Sequence, residues 1–163
     1  MEPRLADLVR RAHAGEVLGA TLFQRLAEAE RDPARRERLL AAAMLEEQTG
    51  EAAAELARDL GIEVAPSDED RAAGRGAADA LAVLDWSEQM RTVAAATGSY
   101  RELYEELASV VPDPHHPAMA ALIRHEQVLN TFAMTEADGR DGLDVLHDEL
   151  AERYRARLPD GAT

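Results

Sequence analysis

The chain has no cysteine, so neither disulfides nor thiolate ligands or nucleophiles enter its chemistry. Aromatic residues are scarce at 4%, and apolar stretches are too broken by charge to reach the ~20 residues that span a bilayer, so no membrane partner is expected. Basic residues are the minority: 18 Lys and Arg against 32 Asp and Glu give a formal net charge of −14 and a pI near 4.7. That balance repels phosphate backbones and, with no basic cluster to offset it, argues against nucleic acid as a partner. No apolar h-region follows Met1-Glu2-Pro3-Arg4, so secretion is not indicated and the expected location is cytoplasmic. Internal repeats and low-complexity segments are absent as well.

What the chain does have is helix formers, with its breakers gathered in clusters. At 163 residues and 46% hydrophobic content it can bury the core of one domain, expected over residues 1–158 with a frayed tail at 159–163. The pattern predicts helices at about 3–31, 33–60, 77–111, 117–137 and 143–158. Asp32-Pro33 reads as an N-cap with a first-turn proline, Gly61 as the C′ residue of the second helix, Pro112 as a stop, and Asp138-Gly139 as the end of the fourth. The short turn at Asp32 makes helices one and two antiparallel neighbours. Residues 62–76, holding Ala65-Pro66-Ser67 and Asp68-Glu69-Asp70, lack periodicity and read as a solvated connection. Its ~15 residues reach ~50 Å when extended, against a helix length of ~42 Å, so it can cross the whole bundle. The fold class expected is all-α: an antiparallel four-helix bundle with a long crossover between helices two and three and a short fifth helix at the C-terminus.

Three glutamates interrupt the apolar rows. Steps of three and four along the first helix read Leu5, Val9, Ala12, Glu16, Gly19, Phe23, Leu26. The second gives Leu39, Ala42, Ala43, Glu46, Thr49, Ala53, Leu56, and the fourth gives Met119, Leu122, Ile123, Glu126, Leu129, Ala133. The third row, Val83, Trp86, Met90, Val93, Thr97, Tyr100, Tyr104, Leu107, Val111, carries no acid. Burying an ion without a partner costs several kcal/mol, and a domain of this size has roughly 5–15 kcal/mol of stability in all. Three buried carboxylates therefore need a metal ion, protons, basic or hydroxyl partners, or water. Glu16, Glu46 and Glu126 are the catalytic and metal-ligand candidates on this argument.

A helix pair, a long crossover and a second helix pair, with acids at these depths, resemble the ferritin-like superfamily of rubrerythrins, bacterioferritins and di-iron hydroxylases. In that family helices one and three each give a Glu, and helices two and four each give Glu-x-x-His, to hold two metal ions. Glu16 resembles the first-helix ligand. Glu46 and Glu126 resemble the second- and fourth-helix glutamates, with Thr49 and Leu129 standing where the histidines belong, and no third-helix acid lies on the apolar row, Glu88 and Glu102 being off it. The likeness covers about residues 5–137 and implies a degenerate di-iron site in a protein able to form a homodimer. A tRNA-modifying activity, also represented in that superfamily, is opposed by the charge.

A carboxylate-rich donor set suits oxygen-loving divalent ions, and iron, manganese or magnesium are the cofactors considered, alongside none at all. His13, one turn before Glu16, and His125, adjacent to Glu126 but rotated about 100° from it, are further metal-ligand candidates. Without a metal, desolvation and mutual repulsion would keep one or more glutamates protonated as general acids or hydrogen-bond donors. Thr49, Trp86, Thr97, Tyr100 and Tyr104 are the candidates for holding a small apolar or aromatic ligand in the bundle interior. Two functions follow: an enzyme acting on a small organic molecule, or a non-catalytic ligand-binding or structural protein of the same fold.

Overall fold

The computed structural model describes residues 3–157. Among them it forms six α-helices and no strand: α1 (Pro3–Ala29), α2 (Pro33–Asp59), α3 (Asp68–Leu81), α4 (Trp86–Val110), α5 (His116–Ala137) and α6 (Leu143–Arg157), with a 3-10 turn at Asp113–His115 leading into α5. Among the described residues no helix is long and apolar enough to cross a membrane. The tail expected to fray, 159–163, lies outside the described residues.

The breakers act where their chemistry predicts. The Asp32 carboxylate accepts hydrogen bonds from the backbone N–H groups of Ala34 (2.9 Å) and Arg35 (3.3 Å) and caps α2 behind Pro33. Gly61 and Gly139, at φ +68° and +74°, end α2 and α5 in the left-handed conformation that glycine adopts without a side-chain clash.

The crossover is the main correction. Instead of an aperiodic connection followed by one helix over 77–111, the chain forms two helices separated by a turn at residues 82–85. The cause is a pair of capping boxes. Ser67 Oγ accepts from the Asp70 N–H (3.0 Å) while Asp70 bonds back to Ser67, and Asp85 accepts from the Glu88 N–H (2.9 Å) while Glu88 bonds back to Asp85. Asp68, Glu69 and Asp70 thus form the solvated first turn of α3, where their charge meets the positive end of the helix dipole. The break also removes Val83 from the apolar row; it is 83% exposed.

Two helix hairpins carry the core. Gly19 faces Glu46 and Gly50 faces Glu16, so α1 and α2 run antiparallel. Asn130 donates to the Ala94 carbonyl, and Ser87 to that of Ala137, so α4 and α5 do too. Arg4 meets Glu106 and Glu16 meets Tyr104, which sets α4 antiparallel to α1 and therefore parallel to α2. Such an arrangement requires the chain to return along the length of the bundle, and α3 makes that return beside α1. A Cβ on Gly74 would stand 2.6 Å from the Leu18 carbonyl oxygen, so the bare glycine is what allows α3 to lie this close. α6 packs against both α2 and α5.

The apolar interior is divided into two clusters. One is built around Phe23, Leu39, Leu45, Met90, Leu129 and Phe132, the other around Leu8, Val9, Leu56, Leu107, Met119 and Leu122. Glu16, Glu46, His125 and Glu126 lie between them in sequence on three helices, and all four are buried. Near one end of the bundle a further acid, Glu136, accepts hydrogen bonds from Arg38 Nε (2.7 Å), Trp86 Nε1 (3.1 Å) and the Gly142 N–H (2.7 Å), tying α2, α4, α5 and the turn before α6 together.

Candidate functional site

Glu16 comes from α1, Glu46 from α2, and His125 and Glu126 from α5, and the four side chains meet in the buried interior between these helices. His125 is the hub. Its Nε2 stands 3.5 Å from Glu46 Oε2, and its Nδ1 stands 3.8 Å from Glu16 Oε1 and 3.9 Å from Glu126 Oε1. The ring is 0% exposed, and neither nitrogen has a hydrogen-bond partner. A fully buried imidazole with both nitrogens unsatisfied is costly unless something occupies the space beside it. One atom each from Glu16, His125 and Glu126 fall within 4.8 Å of one another, close enough to share an ion.

By its spacing His125 is a further ligand candidate, turned about 100° from Glu126 on the helix. It becomes central because α5 is packed by α4, α2 and α6, which widens its buried arc well beyond one stripe. His13 is buried as well, but it lies outside the group formed by Glu16, His125 and Glu126. Desolvation lowers its pKa, with Asp70 of α3 opposing.

Burial dominates the electrostatics of the acids. Desolvation raises Glu126 to about 10, with Glu46 and Glu16 adding to the rise. Desolvation raises Glu16 to about 8, His125 opposing and Glu46 reinforcing. Glu46 is raised least, to about 7, because a hydrogen bond with Glu16 and the charge of Arg153 counter its desolvation. Desolvation likewise lowers His125, so without an ion the imidazole is neutral at pH 7 and Glu126 holds its proton. Tyr104, 0% exposed, donates its hydroxyl to Glu16, and burial followed by the Glu16 charge pushes its own pKa well up.

A cavity of about 340 Å³ opens onto this cluster. Leu18, Leu22, Phe23, Leu81, Val93 and Leu129 make its apolar wall, and Glu16, Glu46, Glu126, Thr97 and Tyr100 supply its polar groups. Ala77 and Ala80 on α3 and Ala96 on α4 leave the space, while Tyr100 and Glu46 take up the room beside Gly15 and Gly19 of α1. A Cβ on Gly19 would stand 2.6 Å from the Glu46 carboxyl, so glycine there is a condition for the acid's position. Ala80, Thr92 and Ala96 line the cavity and are exposed, which places its mouth between α3 and α4.

Of the five residues expected to hold a ligand, Thr97 and Tyr100 line this cavity. The Thr97 hydroxyl donates to the Ala94 carbonyl (2.8 Å) and accepts from Asn130 Nδ2 (3.0 Å). Tyr104 lies behind the acids. Thr49 faces away: its hydroxyl donates to the Leu45 carbonyl and accepts from Arg153 Nη1, both at 2.8 Å. Trp86 is also misplaced by the sequence argument. The turn at 82–85 puts it at the start of α4, where its indole donates to Glu136 and the Arg35 guanidinium lies 5.2 Å over its ring.

Sequence reasoning missed Arg153 and Glu149 of α6. Arg153 Nε donates to Glu149 Oε1 (2.9 Å), and Arg124 of α5 donates to Glu149 Oε2 (2.8 Å). The i,i+4 spacing of Glu149 and Arg153 was visible, but it is equally that of an exposed helical pair. No protein-family model matches the chain, nor does any curated protein or solved structure.

Proposed function

We propose that this is a divergent ferritin-like protein that binds and transforms a small, largely apolar organic molecule in the α1–α3–α4 cavity, using the carboxylate and histidine cluster at its floor. The observation that carries this reading is the opening of an otherwise apolar cavity onto Glu16, Glu46 and Glu126. A pocket with greasy walls and a few convergent polar groups of perturbed pKa is the usual form of a small-molecule site. The ferritin-like part of the proposal draws on the parallel course of α2 and α4 around a full-length crossover, and on Glu16, Glu46 and Glu126 standing at matching depths.

The donor set fits a divalent ion held by Glu16, Glu126 and His125, because an imidazole with two unsatisfied nitrogens beside two carboxyls is a ligand set in waiting. When bound, such an ion supplies Lewis-acid polarisation to the polar end of a substrate. The chain's own residues orient that molecule with Thr97 and Tyr100, exclude water with the apolar wall, and move protons. In the metal-free state Glu46, the acid closest to neutrality, is suited to accept a proton and Glu126 to donate one.

The test is calorimetric binding of matched alkyl alcohols, amines and carboxylates to the full chain, alongside Ala77→Trp, which fills the cavity from α3. Alcohols or amines should bind, carboxylates of equal length should not bind the chelator-treated protein, and A77W should abolish binding. If no member binds, or if A77W binds as well as the parent, the ligand site is wrong. A bound molecule recovered unchanged from metal-loaded protein would favour the non-catalytic binding protein instead.

A further inference from the structure

His125 has two faces, and they see different acids. Nδ1 points toward Glu16 and Glu126, at 3.8 and 3.9 Å, and these three residues form the group able to share an ion. Ligand atoms around an ion with bonds of ~2.1 Å lie roughly 3–3.5 Å apart, so the two distances from Nδ1 need contract by only a few tenths of an ångström. Nε2 stands 3.5 Å from Glu46 Oε2, and Glu46 is not in that group. A metal-bound imidazole ordinarily donates its second N–H to a carboxylate, which fixes the tautomer and strengthens the ligand. Glu46 stands where that acceptor belongs.

Behind Glu46 lies a fixed positive charge. Thr49, one turn further along α2, accepts from Arg153 Nη1, while Nη2 of the same guanidinium is buried with no partner. Arg153 shares Glu149 with Arg124, and Glu149 is 5% exposed. Arg153, its side chain 16% exposed against 55% for Arg124, is thus the cation set deepest beside the four buried glutamates Glu16, Glu46, Glu126 and Glu149. A second divalent ion on the Glu46 side would have to sit beside this guanidinium, a like charge that the low dielectric of the interior penalises heavily.

We infer that the centre is mononuclear: one divalent cation bound by Glu16, Glu126 and Nδ1 of His125, with Glu46 accepting the Nε2–H and the Arg153 guanidinium taking the electrostatic place of a second ion. Glu46 and Arg153 are then positioning residues that act through His125 rather than ligands. This rests on the metal reading of the cluster proposed above, and the test separates the two.

Chelator-treated full-length protein is titrated with Co²⁺ at pH 7.5, with stoichiometry read by calorimetry and ligand geometry by the visible absorption of the ion. Wild type should bind one equivalent, and His125→Gln and Glu126→Gln should lose it. Glu46→Gln should still bind one equivalent, weakened roughly 10–100-fold, with a shifted Co²⁺ spectrum. Arg153→Gln should weaken binding in the same sense, and Arg153→Lys, which keeps the charge, should restore most of it. Two equivalents on wild type would overturn the mononuclear inference and leave the metal reading standing. Complete loss of binding in E46Q would make Glu46 a ligand and overturn its assigned role, and unchanged affinity in R153Q would do the same for Arg153. Failure of wild type to bind Co²⁺ at all would overturn the metal reading itself.

Discussion

Replacing Glu126 by Gln tests the buried cluster through its proton balance. In the metal-free fold Glu126 keeps its proton to about pH 10, because desolvation and the neighbouring Glu46 and Glu16 disfavour its anion; its ordinary value is 4.5. The folded chain thus holds a proton that the unfolded chain has released everywhere between those limits. Stability must fall as pH rises through that window, by about 1.4 kcal/mol per pH unit for one proton. Glutamine has nearly the same shape and no proton to lose, so E126Q is spared this slope. Between pH 6 and pH 8 the variant should gain about 2.7 kcal/mol on wild type, whatever constant offset the substitution introduces. For a domain of this size that corresponds to a relative rise in Tm of roughly 5–11 °C. Urea unfolding of both proteins in chelator at pH 6, 7 and 8 measures it. Parallel profiles for wild type and E126Q would mean that Glu126 is ionised in the fold, and the description of the site as a dry carboxylate cluster would be wrong.

Two further substitutions probe the frame around the site. Gly74→Ala brings a methyl group to 2.6 Å from the Leu18 carbonyl and 2.8 Å from Thr21 Cβ, so it should cost roughly 1–3 kcal/mol and loosen α3 from α1. Hydrogen exchange should then quicken in α3 ahead of α5; uniform exchange across both would show that α3 does not depend on that close approach. Glu136→Ala removes the acceptor of Arg38, Trp86 and Gly142 together. Because Arg38 keeps Asp141 as a partner at 2.7 Å, the expected loss is about 3 kcal/mol, at the lower end for a broken buried pair. A loss under ~1 kcal/mol by chemical denaturation would mean the junction is not what holds that end of the bundle.

The three glutamates were legible because helical period is a local property: an acid at a core step of three or four must be buried if its helix is. The same rule failed at Val83, since the row was read through a turn at 82–85 that resets the helical phase; Trp86 stays in phase with Met90 but sits at the first residue of α4, beside Glu136 and away from the cavity. The signals for that turn were present as Ser67-Asp68-Glu69-Asp70 and Asp85-Trp86-Ser87-Glu88, two capping boxes hidden among acids that read as a solvated loop. His125 was undervalued for a different reason. Its angle from Glu126 can be read from the spacing, whereas the width of the buried arc on α5 depends on how many helices surround it.

Sequence alone was sufficient for the all-helical class, for most helix ends and for the burial of Glu16, Glu46 and Glu126, because each follows from neighbours within a turn or two of the chain. Tertiary structure alone decided that these acids converge on His125, that Arg153 arrives behind Glu46 from the last helix, and that a cavity of about 340 Å³ lies beside them. A cavity is the space left where Ala77 and Ala80 of α3 and Ala96 of α4 fail to fill the volume they share with α1 and α5. That volume does not exist until the helices are packed, and no pattern along one of them contains it.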